Sequence, residues 1–97
     1  MNIQVAIIIG SKSDWDVMSH SAEMLSNLGI QYEAKVISAH RTPDLLDEYC
    51  AKIQEKGIKV IIAGAGLAAA LPGVIAAKTT IPVVGVPLVV GSLDGLD

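Results

Sequence analysis

Apolar positions along this chain fall into two kinds of run, and the two alternate. Ile3 to Ile9 is almost continuous and largely β-branched, the pattern of a strand buried on both faces. It stops at Gly10. Ser11-Lys12-Ser13-Asp14 then reads as a helix start, with Ser13 as N-cap and Asp14 and Asp16 in the first turn. Trp15, Met18, Ala22, Leu25 and Leu28 recur at helical spacing, and Gly29 ends that helix.

The pattern then repeats. Gln31 to Ile37 alternates more, which predicts a strand nearer a sheet edge. After the loop Ser38-Ala39-His40-Arg41, Thr42 caps a helix whose first position is Pro43, where a missing N–H costs nothing. Leu45, Leu46, Tyr49, Cys50 and Ile53 form its apolar stripe, Asp47, Glu48, Lys52, Glu55 and Lys56 its wet face, and Gly57 closes it. Lys59 to Ala63 predicts a third strand and Gly64-Ala65-Gly66 a glycine turn. Leu67 to Ala77 predicts a small-residue helix, kinked or started late by Pro72. Ile81 to Val86 predicts a fourth strand, and Val89-Val90-Gly91-Ser92 a loop. The order βαβαβαβ with short connections predicts an α/β fold with a doubly wound parallel sheet, helices on both faces in three layers. A sheet that ends on a strand and a loop is expected to be incomplete at the C-terminus.

Composition narrows the class. Ninety-seven residues suit a single domain, 1–97. A 52% apolar content with net charge −3 excludes disorder. The single Cys50 excludes a disulfide scaffold. Ten acidic against seven basic residues argue against a nucleic-acid partner. Val60 to Ala77 is uncharged, yet Gly64, Gly66, Pro72 and Gly73 punctuate it and Lys78 follows, so it is not a membrane span. No basic region precedes the first apolar run, so it is no secretory signal, and a cytoplasmic location is expected. Between Ile58 and Leu93 the only charges are Lys59 and Lys78. Such a stretch needs cover from further chain or from other subunits.

Ligands of open α/β sheets bind beyond the carboxyl ends of the strands. Three loops belong there: Gly10 to Asp14, Ser38 to Thr42, and Gly64 to Ala70. The first offers free N–H groups, the Ser11 and Ser13 hydroxyls and a helix dipole to a phosphate; plain helix capping explains the same residues about equally well. Asp14 suits ribose hydroxyls. The second carries the chain's single arginine, Arg41, for bidentate anion contact, beside His40 for proton transfer near neutral pH; a solvated loop pair is the other reading of the two. The third is a weak cofactor signal, because it lacks the full dinucleotide fingerprint; close backbone approach to a flat ligand and tight helix–strand packing are equal readings. No metal site is expected from two His and one Cys at unrelated spacings. Cys50 reads as core and His20 as surface.

Gly10-Ser11-Lys12-Ser13-Asp14-Trp15, Ser38-Ala39-His40-Arg41-Thr42-Pro43 and Ala63-Gly64-Ala65-Gly66 through Leu71-Pro72-Gly73 together resemble the N5-carboxyaminoimidazole ribonucleotide mutases of purine (IMP) biosynthesis, in the AIR carboxylase family. Ala76-Ala77-Lys78-Thr79 and Pro82-Val83-Val84-Gly85-Val86-Pro87 extend the likeness over nearly the whole chain. Arg41 is similar to the mutase class, where the related carboxylases usually carry Lys. The resemblance implies a flavodoxin-like fold and an isomerase that moves a carboxylate from the exocyclic nitrogen of the ribonucleotide to ring C4, with CO2 held in between. It implies no metal, ATP or biotin, a homo-octamer, and a small-molecule ribonucleotide as partner. On matching positions, His40 is the general acid/base. Ser11, Ser13 and Arg41 hold the phosphate and Asp14 the ribose. Ser38, Ala39 and the segment Gly64, Gly66, Leu67, Ala68 and Ala70 line the base and CO2 pocket. Two positions depart: Leu67 replaces a glycine, and Ala70 replaces a histidine of the usual Gly-Ala-Gly-Gly-Ala-Ala-His-Leu-Pro-Gly. Family members also continue past Asp97, so the chain is expected to be truncated. A nucleotide-binding homologue without turnover is the alternative that Ala70 motivates.

Overall fold

A computed structural model describes residues 2–39, 41–66 and 70–88. Its elements follow the predicted order: β1 (Val5–Ile9), a single 3₁₀ turn (Lys12–Asp14), α1 (Trp15–Asn27), β2 (Tyr32–Val36), α2 (Pro43–Lys52), β3 (Val60–Ala65), α3 (Ala70–Ala76) and β4 (Val83–Pro87). The strands form one parallel sheet in the order β2-β1-β3-β4. All five β1 residues are buried, because β1 is central and covered on both faces. β2 lies at the edge, as its alternation predicts.

Two apolar clusters sandwich the sheet. Odd-numbered β1 residues Val5, Ile7 and Ile9 meet Met18, Ala22 and Leu25 of α1. Even-numbered Ala6 and Ile8, with Ile61 and Ala63 of β3, meet Leu46, Tyr49 and Cys50 of α2 and Leu71 and Ile75 of α3. The period of two along each strand thus sends alternate residues to opposite helical layers. Leu46, Ile53, Ile61 and Ile75 have no exposed surface, so truncating any of them to Ala costs about 2–5 kcal/mol.

Several local expectations are corrected. Ser11, not Ser13, caps the first turn: its side chain accepts the Ser13 N–H. Leu28 and Leu45 are 65% and 48% exposed; each sits at the border of its stripe and turns away from the sheet. α2 ends at Lys52, and turns carry the chain on to Gly57. Gly29 and Gly57 both adopt positive φ, 74° and 81°, the left-handed conformation that ends a helical segment with least strain in glycine. The third strand runs two residues further than predicted, so Gly64 and Ala65 are strand and not turn. Pro72 falls in the first turn of α3, where it breaks no helical bond. The predicted loop 89–92 lies outside the described residues.

Candidate active site

Parallel pairing settles where the loops go. Ile9 is in register with Val36 on one side and Gly64 on the other, and Gly64 with Val86. All four strands therefore end at one rim of the sheet. From β1 the chain crosses to β2 on one side, and from β2 it returns to β3 on the other. This makes the β1/β3 junction a topological switch point, where such sheets open a crevice. Gly10 to Asp14 after β1 and Gly66 after β3 flank that junction, and Ser38 and Ala39 follow the neighbouring strand β2.

In the first segment the Ser11 and Ser13 hydroxyls are 3.0 Å apart, and Ser11 Oγ accepts the Ser13 N–H at 3.4 Å. Asp14 donates its N–H to the Ser11 carbonyl at 3.1 Å and precedes α1 without a side-chain cap bond. The two hydroxyls thus stand paired at the start of the helical segment, and the Asp14 carboxylate is not consumed by capping. A hollow of about 350 Å³, walled by Ile9, Lys12, Trp15, Ala34, Lys35 and Val36, adjoins this loop.

The loop after β2 is fastened internally. Thr42 Oγ1 donates to the Ser38 carbonyl at 3.0 Å and accepts the Ser38 N–H at 3.0 Å. Ser38 Oγ accepts the Arg41 N–H at 3.0 Å. Thr42 is the N-cap residue of α2, yet its hydroxyl makes no cap bond; the expected cap is instead a loop fastener. Ala39 packs partly buried against the α2/α3 cluster, and Arg41 is exposed at the rim. His40 lies outside the described residues, as do Leu67 and Ala68; Ala70 begins α3.

The third segment contributes differently from the glycine turn expected. Gly64 is buried inside β3, and Met18 of α1 occupies the space a side chain would need. Gly66 follows the strand, half-buried at the rim. Among the described residues no cluster of three His, Cys, Asp or Glu side chains is placed to hold a metal ion. No described helix is long and apolar enough to cross a membrane.

A family model for AIR carboxylase matches residues 4–97. The chain belongs to the AIR carboxylase family. Relatives named N5-carboxyaminoimidazole ribonucleotide mutase include the Pseudomonas aeruginosa protein, 58% identical over all 97 residues of this chain and 60% of its own length. The Bacillus subtilis mutase is 58% identical over 96% of the chain and 57% of its own length. The Saccharolobus solfataricus mutase is 52% identical over 97% and 60%. Among solved structures, a PurE2 variant from Treponema denticola superposes with a TM-score of 0.88 at 26% identity, covering 98% of this chain and 60% of that one. The chain thus spans about 60% of the length of the AIR carboxylase relatives it matches.

One polar cluster escaped the sequence reading. Tyr49 of α2 donates its hydroxyl to Glu33 of β2, and Lys56 Nζ lies 3.2 Å from the same carboxylate and 4.9 Å from the Tyr49 ring centre. Burial alone pushes the Glu33 carboxyl up, but the Tyr49 hydroxyl and the Lys56 ammonium together hold it below its ordinary range. Burial, then the Glu33 charge, push the Tyr49 phenol far up, so it remains a donor. Lys78 pairs with Asp47 and fastens the end of α3 to α2. The usable signal for Glu33 was its parity: in register with Ala6, it shares the inward face that Tyr49 approaches.

Proposed function

We propose that this chain works as part of an N5-carboxyaminoimidazole ribonucleotide mutase of purine biosynthesis. Identity of 52–58% to mutases from three distant organisms, across nearly the whole chain, carries the reading. The rim described above supports it: paired serine hydroxyls at a helical N-terminus suit a phosphate, Arg41 adds a cation, and Asp14 suits ribose. His40 follows Ser38 and Ala39 of that loop in sequence, and the resemblance gives it the proton transfer. Ser38, Ala39, Gly64, Gly66, Leu67, Ala68 and Ala70 belong to the wall for the base and CO2.

The chemistry balances within one site. The bond from the exocyclic nitrogen to the carboxylate carbon breaks and CO2 leaves, while His40 supplies a proton to the nitrogen. Ring C4 then attacks CO2, and His40 takes the proton that C4 carried. One proton leaves the His40 imidazolium and one returns, so the acid is regenerated. Loss of CO2 from a carbamate favours a dry, preorganised pocket.

The protein is a cytoplasmic homo-octamer in this reading. Val17, Met24 and Leu28, spaced by seven and four residues, make an exposed apolar stripe on the outer side of α1 (55%, 59% and 65% exposed), which supports burial against other subunits. The test is conversion of N5-carboxyaminoimidazole ribonucleotide to its C4-carboxylated isomer, followed by absorbance. His40→Asn is expected to abolish turnover with ribonucleotide affinity nearly intact. A folded protein that leaves the substrate unconverted overturns the proposal.

A further inference from the structure

We propose that Thr42 is a positioning residue for the substrate rim, acting through a clasp on Ser38. Three hydrogen bonds join Ser38 and Thr42, and a fourth ties Arg41 to Ser38. Thr42 Oγ1 donates to the Ser38 carbonyl and accepts the Ser38 N–H, both at 3.0 Å. The Thr42 N–H also reaches the Ser38 carbonyl at 3.0 Å, and Ser38 Oγ takes the Arg41 N–H at 3.0 Å. A hydroxyl carries one donor and two acceptor sites, so the Thr42 side chain satisfies both backbone groups of Ser38 at once.

The usual duty of a threonine at this place is to cap the following helix. Here it makes no cap bond, and its backbone stands at φ −134°, ψ 59°. Pro43 follows and biases residue 42 away from helical geometry, and β-branching stiffens its side chain. Sequence and geometry therefore divert the hydroxyl from the helix to the loop. The product is a fixed backbone origin for Arg41, whose own N–H is held by Ser38. Ser38 thus serves the site through its bonds to Thr42 and Arg41 as well as through any contact with substrate.

The inference rests on the ribonucleotide reading of the rim, and two independent readouts separate them. Thr42→Val removes both hydroxyl bonds of the clasp at nearly constant volume, and Thr42→Ser keeps them. Ribose 5-phosphate binding and mutase KM report the rim, and amide hydrogen exchange at Ser38 and Arg41 reports the clasp. Thr42→Val is expected to weaken ribose 5-phosphate binding and raise KM at least about tenfold, and to speed exchange at both amides by a similar factor, with β1 amides unchanged. Thr42→Ser is expected to stay within about threefold of the parent. Unchanged exchange in Thr42→Val overturns the clasp. Faster exchange with parental KM and affinity overturns its role in positioning, and so does a fall in turnover that only tracks the folded fraction. If the parent binds no ribonucleotide, the rim reading fails and with it the link to substrate, while the exchange result still upholds or overturns the clasp.

Discussion

The Sδ atom of Met18 lies 2.6 Å from where a Cβ on Gly64 would stand, with Cγ and Cε at 3.0 Å. The whole methionine side chain, not only its tip, fills the space that β3 leaves open. Met18 is 1% exposed, so it has nowhere to retreat.

Gly64→Ala is therefore expected to destabilise the fold by about 1–3 kcal/mol, as overpacked cores do. Denaturant unfolding measures it. Adding Met18→Ala should recover part of the loss, so that the two changes are non-additive by at least about 0.5 kcal/mol. Additive losses would mean that the two residues do not compete for the space.

Cys50 makes a second test. Burial pushes its thiol up, with Asp47 adding to the rise and Lys78 opposing it, and the residue is 6% exposed in the α2 layer. A buried thiol held protonated is a poor nucleophile. Labelling with a thiol reagent at neutral pH is expected to be orders of magnitude slower in the native protein than in denaturant. Labelling at equal rates in both states would contradict the packing.

How much of this was legible beforehand follows from periodicity. β1 announced itself because both of its faces are buried, and five consecutive apolar residues cannot be mistaken for an amphipathic element. Gly64 was misplaced because glycine marks turns and close approaches alike; only the position of Met18, forty-six residues away in sequence, decides between them. Thr42 and Pro43 gave the start of α2 correctly, yet nothing local says that the hydroxyl turns back to Ser38. The Glu33–Tyr49–Lys56 cluster joins three elements, so no single window of sequence contains it. At the rim, the motifs supply candidate residues, and the parallel register brings the strand ends that precede them to one edge.

Arg41 is exposed at that rim, so its loss should leave folding intact. Arg41→Ala is expected to weaken ribonucleotide affinity about tenfold to a hundredfold, the worth of a charge-assisted hydrogen bond, with the unfolding midpoint unchanged. Nucleosides lacking the phosphate should bind both proteins equally. Equal weakening toward nucleoside and nucleotide would move Arg41 away from the phosphate.

Ala70 begins α3 just beyond the β3 rim, at the position where the family resemblance places a second imidazole. Ala70→His is expected to raise turnover without tightening ribonucleotide binding, since the resemblance assigns that imidazole to the reacting carboxylate and not to the phosphate. Steady-state kcat and KM separate the two effects. A change confined to KM would place residue 70 in binding instead.

Glu33 sets how the β2–α2 contact responds to acid. Its carboxyl lies below its ordinary value in the fold, because the Tyr49 hydroxyl and the Lys56 ammonium outweigh the opposing effect of burial. As pH falls through the ordinary carboxylate range, the unfolded chain therefore takes up a proton before the folded one does. Stability from this group is complete above that range and is lost as pH drops toward the lower folded value. Glu33→Gln is expected to cost about 1 kcal/mol near neutral pH, a modest figure for a hydrogen bond to a partly screened charge, and almost nothing in strong acid. Tyr49→Phe removes one of the two groups that hold the carboxyl down, so it should make the acid limb shallower without abolishing it. Thermal unfolding across pH 2 to 7 reads all three proteins. A Glu33→Gln profile parallel to the parent's at every pH would show that the carboxylate is not what responds to acid.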